Sequence, residues 1–148
     1  MVNPDFRDLF AALNEAEASY LVVGAHAVAF YAEPRYTKDL DIWVDASPGN
    51  APRILAALGA FGAPLANVTE SDFHTPGTVL QIGVAPNRID VTTQIDGVAF
   101  GAAWPNRQST TFGDQSIWII GRAELMQNKA AAARPQDLLD LDLLRKHV

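Results

Sequence analysis

Three aspartates offer the most specific chemistry in this sequence. Asp39 and Asp41 stand two residues apart in Asp39-Leu40-Asp41-Ile42-Trp43-Val44, where acids interrupt an apolar run. Such alternation reads as a strand, and residues i and i+2 leave a strand on one face, roughly 6–7 Å apart. Two carboxylates so placed repel each other and raise each other's pKa unless a cation lies between them. A hard divalent ion, Mg²⁺ or Mn²⁺, prefers such all-oxygen surroundings. Taken alone, Asp-x-Asp is more often a solvated strand face. Asp90 stands in a second apolar run, Ile89-Asp90-Val91, where an acid is out of place. If that strand lies beside the first, three carboxylates converge. Three can hold two metals, the arrangement that clamps the attacking and leaving oxygens in phosphoryl transfer. Taken alone, Asp90 is an ordinary strand-edge acid.

A third feature lies upstream. The apolar run Tyr20–Val23 ends at Gly24-Ala25-His26, and an alanine-rich segment follows. A small-residue turn between strand and helix lets backbone N–H groups approach phosphate oxygens, aided by the positive end of the helix. Such turns are common, so the turn gains weight only from its position ahead of the acids. His26 reads equally as a packed or capping histidine and as a ligand contact. Lys129 and Arg134 fall near a helix end, where a basic residue also serves the helix dipole. Asp137 and Asp140 are expected to pair with Arg134 or stay solvated rather than bind metal. His74 falls in the polar stretch from Thr69 to Thr78, expected to be a mobile loop beside the site. Trp43, Trp104 and Trp118 read as core or groove packing rather than base stacking.

The elements that must position these residues follow from periodicity. Phe6, Leu9, Phe10 and Leu13 recur at helical spacing, which predicts a helix over 5–18 with Asp5 as its N-cap. Tyr20–Val23 predicts a buried strand and Ala25–Tyr31 a short helix stopped by Pro34. Strands are predicted at Leu40–Val44, Thr78–Val84, Arg88–Ile95 and Ile117–Ile120, with a hairpin-type turn at Asp96-Gly97. Helices are predicted at Pro52–Gly59, at Glu124–Ala133, and from Pro135 to about His147. The residue before Pro135 separates the last two. The expected fold class is α/β, in the mixed α+β sense: one domain over residues 1–148, a short mixed sheet flanked by helices, and the acids on adjacent strands at one sheet edge.

Composition narrows the remaining possibilities. With 49% hydrophobic residues the chain can build a core, and with no cysteine it has neither disulfides nor thiolate chemistry. A net charge of −6 argues against broad binding to nucleic-acid backbones. Met1 to Arg7 carry acid and proline ahead of any apolar run, unlike a signal peptide, and no apolar stretch approaches membrane length. The expected compartment is the cytoplasm, without membrane association.

The order of these features is more specific than any one of them. Strand, glycine turn, Arg35-x-Thr37-x-Asp39-x-Asp41 and a later strand acid together resemble the nucleotidyltransferase superfamily that includes DNA polymerase β. Closer still is the likeness to small bacterial nucleotidyltransferase-like proteins related to the AbiEii toxin group. It rests on Val23-Gly24-Ala25-His26-Ala27, on Arg35 through Asp41, and on Arg88-Ile89-Asp90-Val91. Gly97 through Phe100, Trp104 and Arg107 extend it, as do the tail residues Leu125, Lys129, Ala130, Arg134, Asp137 and Asp140. It covers about residues 18 to 145. The resemblance implies Mg²⁺ or Mn²⁺ on Asp39 and Asp41, and Asp90 as the third acid, which activates an acceptor hydroxyl. It implies a phosphate turn at Gly24, Ala25 and His26, and an NTP triphosphate met by Arg35, Thr37, Lys38, Lys129 and Arg134. The chain departs from the superfamily at Ala25, where glycine or serine is usual.

Three functions then stand side by side. One is transfer of a nucleoside monophosphate from an NTP to a hydroxyl, with an RNA end such as tRNA, a protein or a small molecule as acceptor. In that case a partner chain or a homodimer is expected to complete the acceptor site. The second is a non-catalytic interaction or antitoxin-like module on the same fold. The third is a metal-dependent phosphoesterase, against which the glycine turn speaks.

Overall fold

The computed structural model describes residues 3–33, 39–84 and 87–147. Helix α1 (Pro4–Glu15) is capped by Asn3, whose side chain accepts from the backbone N–H of Asp5 at 2.9 Å and of Phe6 at 3.2 Å. The expected cap, Asp5, is instead the second helical residue. Pro4 at the first position needs no N–H donor there, so the cap lies two residues upstream of the expected one. The helix also stops earlier than expected. Glu17 takes a left-handed φ of 56°, and the N–H of Ala18 returns to the carbonyl of Leu13.

Strand β1 (Tyr20–Val23) leads straight into α2 (Gly24–Tyr31), and β2 (Leu40–Val44) leads by a short turn to α3 (Ala51–Phe61). The expected loop at Thr69–Thr78 contains a 3₁₀ turn, Glu70–His74, with a capping box between Thr69 and Asp72. It is anchored by the buried Phe73, while His74 stays exposed. Strands β3 (Val79–Ile82) and β4 (Ile89–Thr92) are shorter than the sequence suggested. Helix α4 (Phe100–Ala103), a 3₁₀ turn at Trp104–Asn106, strands β5 (Gln108–Phe112) and β6 (Gln115–Ile119), and helices α5 (Arg122–Ala132) and α6 (Pro135–Lys146) complete the chain.

The six strands form one mixed sheet in the order β3-β4-β2-β1-β6-β5. β1 runs antiparallel to β2, β2 parallel to β4, and β1 parallel to β6. The expected mixed sheet with flanking helices is thus what the chain forms. The acids lie on adjacent strands as expected, but not at an edge: β3 pairs with β4 and covers it.

Alternation divides the sheet into two faces. Tyr20, Val22, Leu40, Ile42 and Val44 are all buried and face α1, which is backed by α3. Asp41, Trp43, Asp90 and Thr92 point to the other face, where Phe100 of α4 meets Trp43 edge-on at 5.0 Å. Fully burying a residue such as Ile42 or Leu40 is worth about 1.5–3 kcal/mol, so the first face anchors the strands that carry the acids. Among the described residues no helix is long and apolar enough to cross a membrane.

Candidate active site

The site forms where β1, β2 and β4 meet. Parallel pairing puts Asp41 directly beside Asp90, and antiparallel pairing puts Val23 beside Asp41. Paired positions on neighbouring strands sit roughly 4.8 Å apart, so two carboxylates share one short stretch of sheet. Asp39 comes just ahead of β2 on the same face.

Gly24 follows Val23 and opens α2 with φ of 69°, a conformation side chains disfavour. A Cβ there would overlap Asp41 Oδ2 and lie 3.0 Å from Asp41 Cβ. Glycine is therefore required twice, by its dihedral and by the acid packed against it. No side chain caps the first turn of α2, which leaves its backbone amides available to an anion.

These surroundings act on Asp41. Burial is the largest cause, and the neighbouring Asp90 and Asp39 add to it, pushing its carboxyl up to about 6. Lys129 and Arg88 pull the other way without cancelling the effect.

Arg88 is the residue that sequence reasoning left without a role. One guanidinium nitrogen, Nη2, lies 3.2 Å from Asp90 Oδ2 and 3.3 Å from Asp39 Oδ2. The signal was present in the sequence: Arg88 stands two residues before Asp90, on the same side of the extended chain.

A cleft of about 450 Å³ runs from Gly24, Asp41, Arg88 and Asp90 past Thr92 and Asp96 to Asn128, Lys129 and Arg134. The Asp96-Gly97 turn holds α5 over this cleft. Gln127 donates to the carbonyl of Gly97 at 3.1 Å, and Asn128 to that of Asp96 at 3.0 Å. Lys129 is buried, with its ammonium 3.3 Å from Asp137 and 3.2 Å from Asp140.

Asp140, expected to pair with Arg134 or stay solvated, is instead buried against Lys129. Asp137 does pair with Arg134, at 2.6 Å. Burial alone would raise Asp137, but its bonds to Arg134 and Lys129 hold it below the usual carboxylate range. Arg134 itself is exposed at the cleft rim.

The nucleotide-binding residues read from the sequence therefore divide. Gly24, Lys129 and Arg134 line the cleft with Asp41 and Asp90. His26 lines a different, largely apolar cavity of about 290 Å³ on the α1 side, with Phe10, Phe30 and Phe112. Burial lowers its pKa, partly offset by Asp39, and its ring meets Phe6 edge-on. Ala25 lines neither cavity. Arg35, Thr37 and Lys38 lie outside the described residues. Arg107 packs into the corner formed by Trp104 and Trp118, its guanidinium carbon 3.9 Å and 4.3 Å from their ring centres, and Trp43 is core, in line with their reading as packing residues.

The acids suit a divalent cation by their donor chemistry. Asp39 Oδ1 and Asp90 Oδ1 are buried without a hydrogen-bond partner, a costly state for charged oxygens that a metal ion would relieve. Among the described residues, no three His, Asp or Glu side chains already form a metal cage. Mg²⁺ commonly takes one or two carboxylates and draws its other ligands from water and substrate phosphates.

The fold is one carried by nucleotidyltransferases. One solved structure that shares it is the lincosamide antibiotic adenylyltransferase LnuA with lincomycin bound, at a TM-score of 0.62 and 12% identity, over 100% of this chain and 99% of that one. Another is TM1012 of Thermotoga maritima, assigned as a nucleotidyltransferase, at 0.59 and 14%, over 99% and 94%. At these identities the likeness establishes the fold. No family signature matches the chain, and no curated protein is a detectable sequence relative.

Proposed function

We propose that this protein is a nucleotidyltransferase that moves a nucleoside monophosphate from an NTP to a hydroxyl and releases pyrophosphate. The observation that carries the proposal is the register pair of Asp41 and Asp90 set against Gly24, which opens α2, within a nucleotidyltransferase fold. Asp39, Asp41 and Asp90 would hold Mg²⁺ or Mn²⁺. When bound, such an ion neutralises the triphosphate and the charge that develops on the attacking and leaving oxygens.

The chain's own groups divide the remaining work. The first amides of α2 receive phosphate oxygens. On the opposite wall of the cleft, Arg134, exposed at the rim, is the cation placed to meet the triphosphate, and Lys129, buried between Asp137 and Asp140, fixes the helix that carries it. Asp90 accepts the proton as the acceptor oxygen bonds to the α-phosphorus and the bond to the β-phosphate breaks. Positioning and charge, rather than a covalent intermediate, supply the rate.

LnuA is matched along nearly its whole length, which favours a small hydroxylated acceptor over an RNA end or a protein.

The test is incubation with each α-labelled NTP and Mg²⁺, with small-molecule, RNA and protein fractions of a cell extract as acceptors. Label is expected in one fraction and from one preferred base. No transfer from any NTP to any fraction would leave the chain as a non-catalytic module on this fold.

A further inference from the structure

Arg88 bridges two of the acids from a position the backbone fixes. Its carbonyl accepts from the N–H of Leu40 at 3.0 Å, so the sheet itself holds Arg88 beside Asp39. Its Nη2 then lies between Asp39 Oδ2 and Asp90 Oδ2, on two neighbouring segments of the acid cluster. A guanidinium meets a carboxylate best as a two-pronged fork, and here a single nitrogen serves two carboxylates. Both outer oxygens, Asp39 Oδ1 and Asp90 Oδ1, stay buried and unpartnered, as does Arg88 Nε. The pairing neutralises charge and leaves three polar atoms unsatisfied. The Arg88 side chain is 37% exposed and lines the same cleft as Gly24 and Lys129, so it is free to leave.

We infer that Arg88 is a displaceable placeholder. It acts as the counter-ion of Asp39 and Asp90 when the cleft is empty, and it turns toward the triphosphate when a divalent cation takes its place. The inference rests on the reading of these acids as a cation site. It adds that the free protein resists metal alone and accepts metal together with nucleotide, because only then does the released guanidinium find a new anion. Arg88 is on this view a positioning residue that couples the two binding events.

The test is Mn²⁺ binding, followed by the electron paramagnetic resonance of free Mn²⁺, to wild type, Arg88→Gln and Asp41→Asn, with and without a non-hydrolysable NTP analogue. Without nucleotide, Arg88→Gln is expected to bind Mn²⁺ about two- to fivefold more tightly than wild type, the scale of a lost partly exposed ion pair. The analogue should tighten Mn²⁺ binding in wild type by a larger factor than in Arg88→Gln.

Because Arg88→Gln could unfold, a second measurement uses wild type alone. The ¹⁵N resonance of Arg88 Nε should shift as metal and analogue are added together. Mn²⁺ binding by wild type that Arg88→Gln leaves unchanged or weakens would overturn the placeholder, and so would an unmoved Nε resonance at saturation. If neither wild type nor Arg88→Gln binds Mn²⁺ any better than Asp41→Asn does, the cation site itself fails, and the placeholder with it.

Discussion

Asp41→Asn should make the empty protein more stable, although it removes an acid at the centre of the candidate site. The Asp41 carboxyl is pushed up to about 6 by burial and by Asp90 and Asp39. A carboxyl in the unfolded chain titrates near 4. The folded state therefore prefers the protonated form by about two units, or about 3 kcal/mol at most. Below about pH 4 this preference costs nothing. Between about pH 4 and 6 the unfolded chain ionises freely while the folded protein keeps Asp41 protonated, so stability falls across this window and stays lower above it.

Asn keeps the shape beside Gly24 and carries no charge. Allowing for water in the cleft, the variant should exceed wild type by about 1–3 kcal/mol at pH 8, and the two should nearly coincide at about pH 3. For a domain of this size that is about 3–10 °C in melting temperature. The assay is thermal unfolding in chelator at both pH values. Comparing the two proteins cancels other titrations, including that of His26, whose lowered pKa acts in the opposite direction. A variant no more stable than wild type at pH 8, or a gap that is the same at both pH values, would refute the account of Asp41.

Further outcomes follow from the same geometry. Gly24→Val places a side chain at φ of 69° and onto Asp41. It should lose more than about 1 kcal/mol of stability and at least about tenfold in NTP affinity by calorimetry; a folded variant with unchanged affinity would leave the turn a structural role only. Asp90→Asn should keep NTP affinity within a few-fold and slow transfer by roughly 10²; transfer at the wild-type rate would remove Asp90 from the chemistry. Lys129→Ala leaves Asp137 and Asp140, with side chains 3% and 2% exposed, without their ammonium partner. It should cost about 3–5 kcal/mol by denaturant titration, and a loss below about 1 kcal/mol would show that these aspartates find other partners.

The parts of this site set by local rules were legible in the sequence. Alternation around Asp39 and Asp41, an acid inside an apolar run at Asp90 and a glycine after β1 each report on one strand or turn. The sheet then brings Asp41, Asp90 and Gly24 together as that reading required. What was missed depended on pairing between distant segments. The strand β5, Gln-Ser-Thr-Thr-Phe, has no apolar alternation and becomes a strand through its hairpin with β6 across Gly113. Asn3 was overlooked as a cap because Pro4 obscured the true start of α1. Asp140 reads as a surface acid on a helix, and only the approach of α5 buries it against Lys129. His26 belongs to the turn by sequence, yet the helical rotation of α2 carries its ring to the opposite face of the sheet. Arg88 lay inside a recognised motif, but its contact with Asp39 depends on the register of β2 and β4.

The parallel pairing of β1 with β6 has a consequence for the order of folding. Val22, two residues before Gly24, pairs with Ile119, so a strand near the start of the chain is completed by one close to its end. Helix α5, which walls the cleft with Lys129, comes later still. Contacts so distant in sequence form slowly, because the intervening chain must be ordered before they are gained. A chain emerging from the ribosome can pair β1 with β2 and then β4 with β2, bringing the acids together early. The flank of β1 and the far wall of the cleft must wait for β6 and α5. In order of synthesis, Gly24, Asp41, Arg88 and Asp90 therefore all precede Lys129 and Arg134, the residues that close the far side of the cleft.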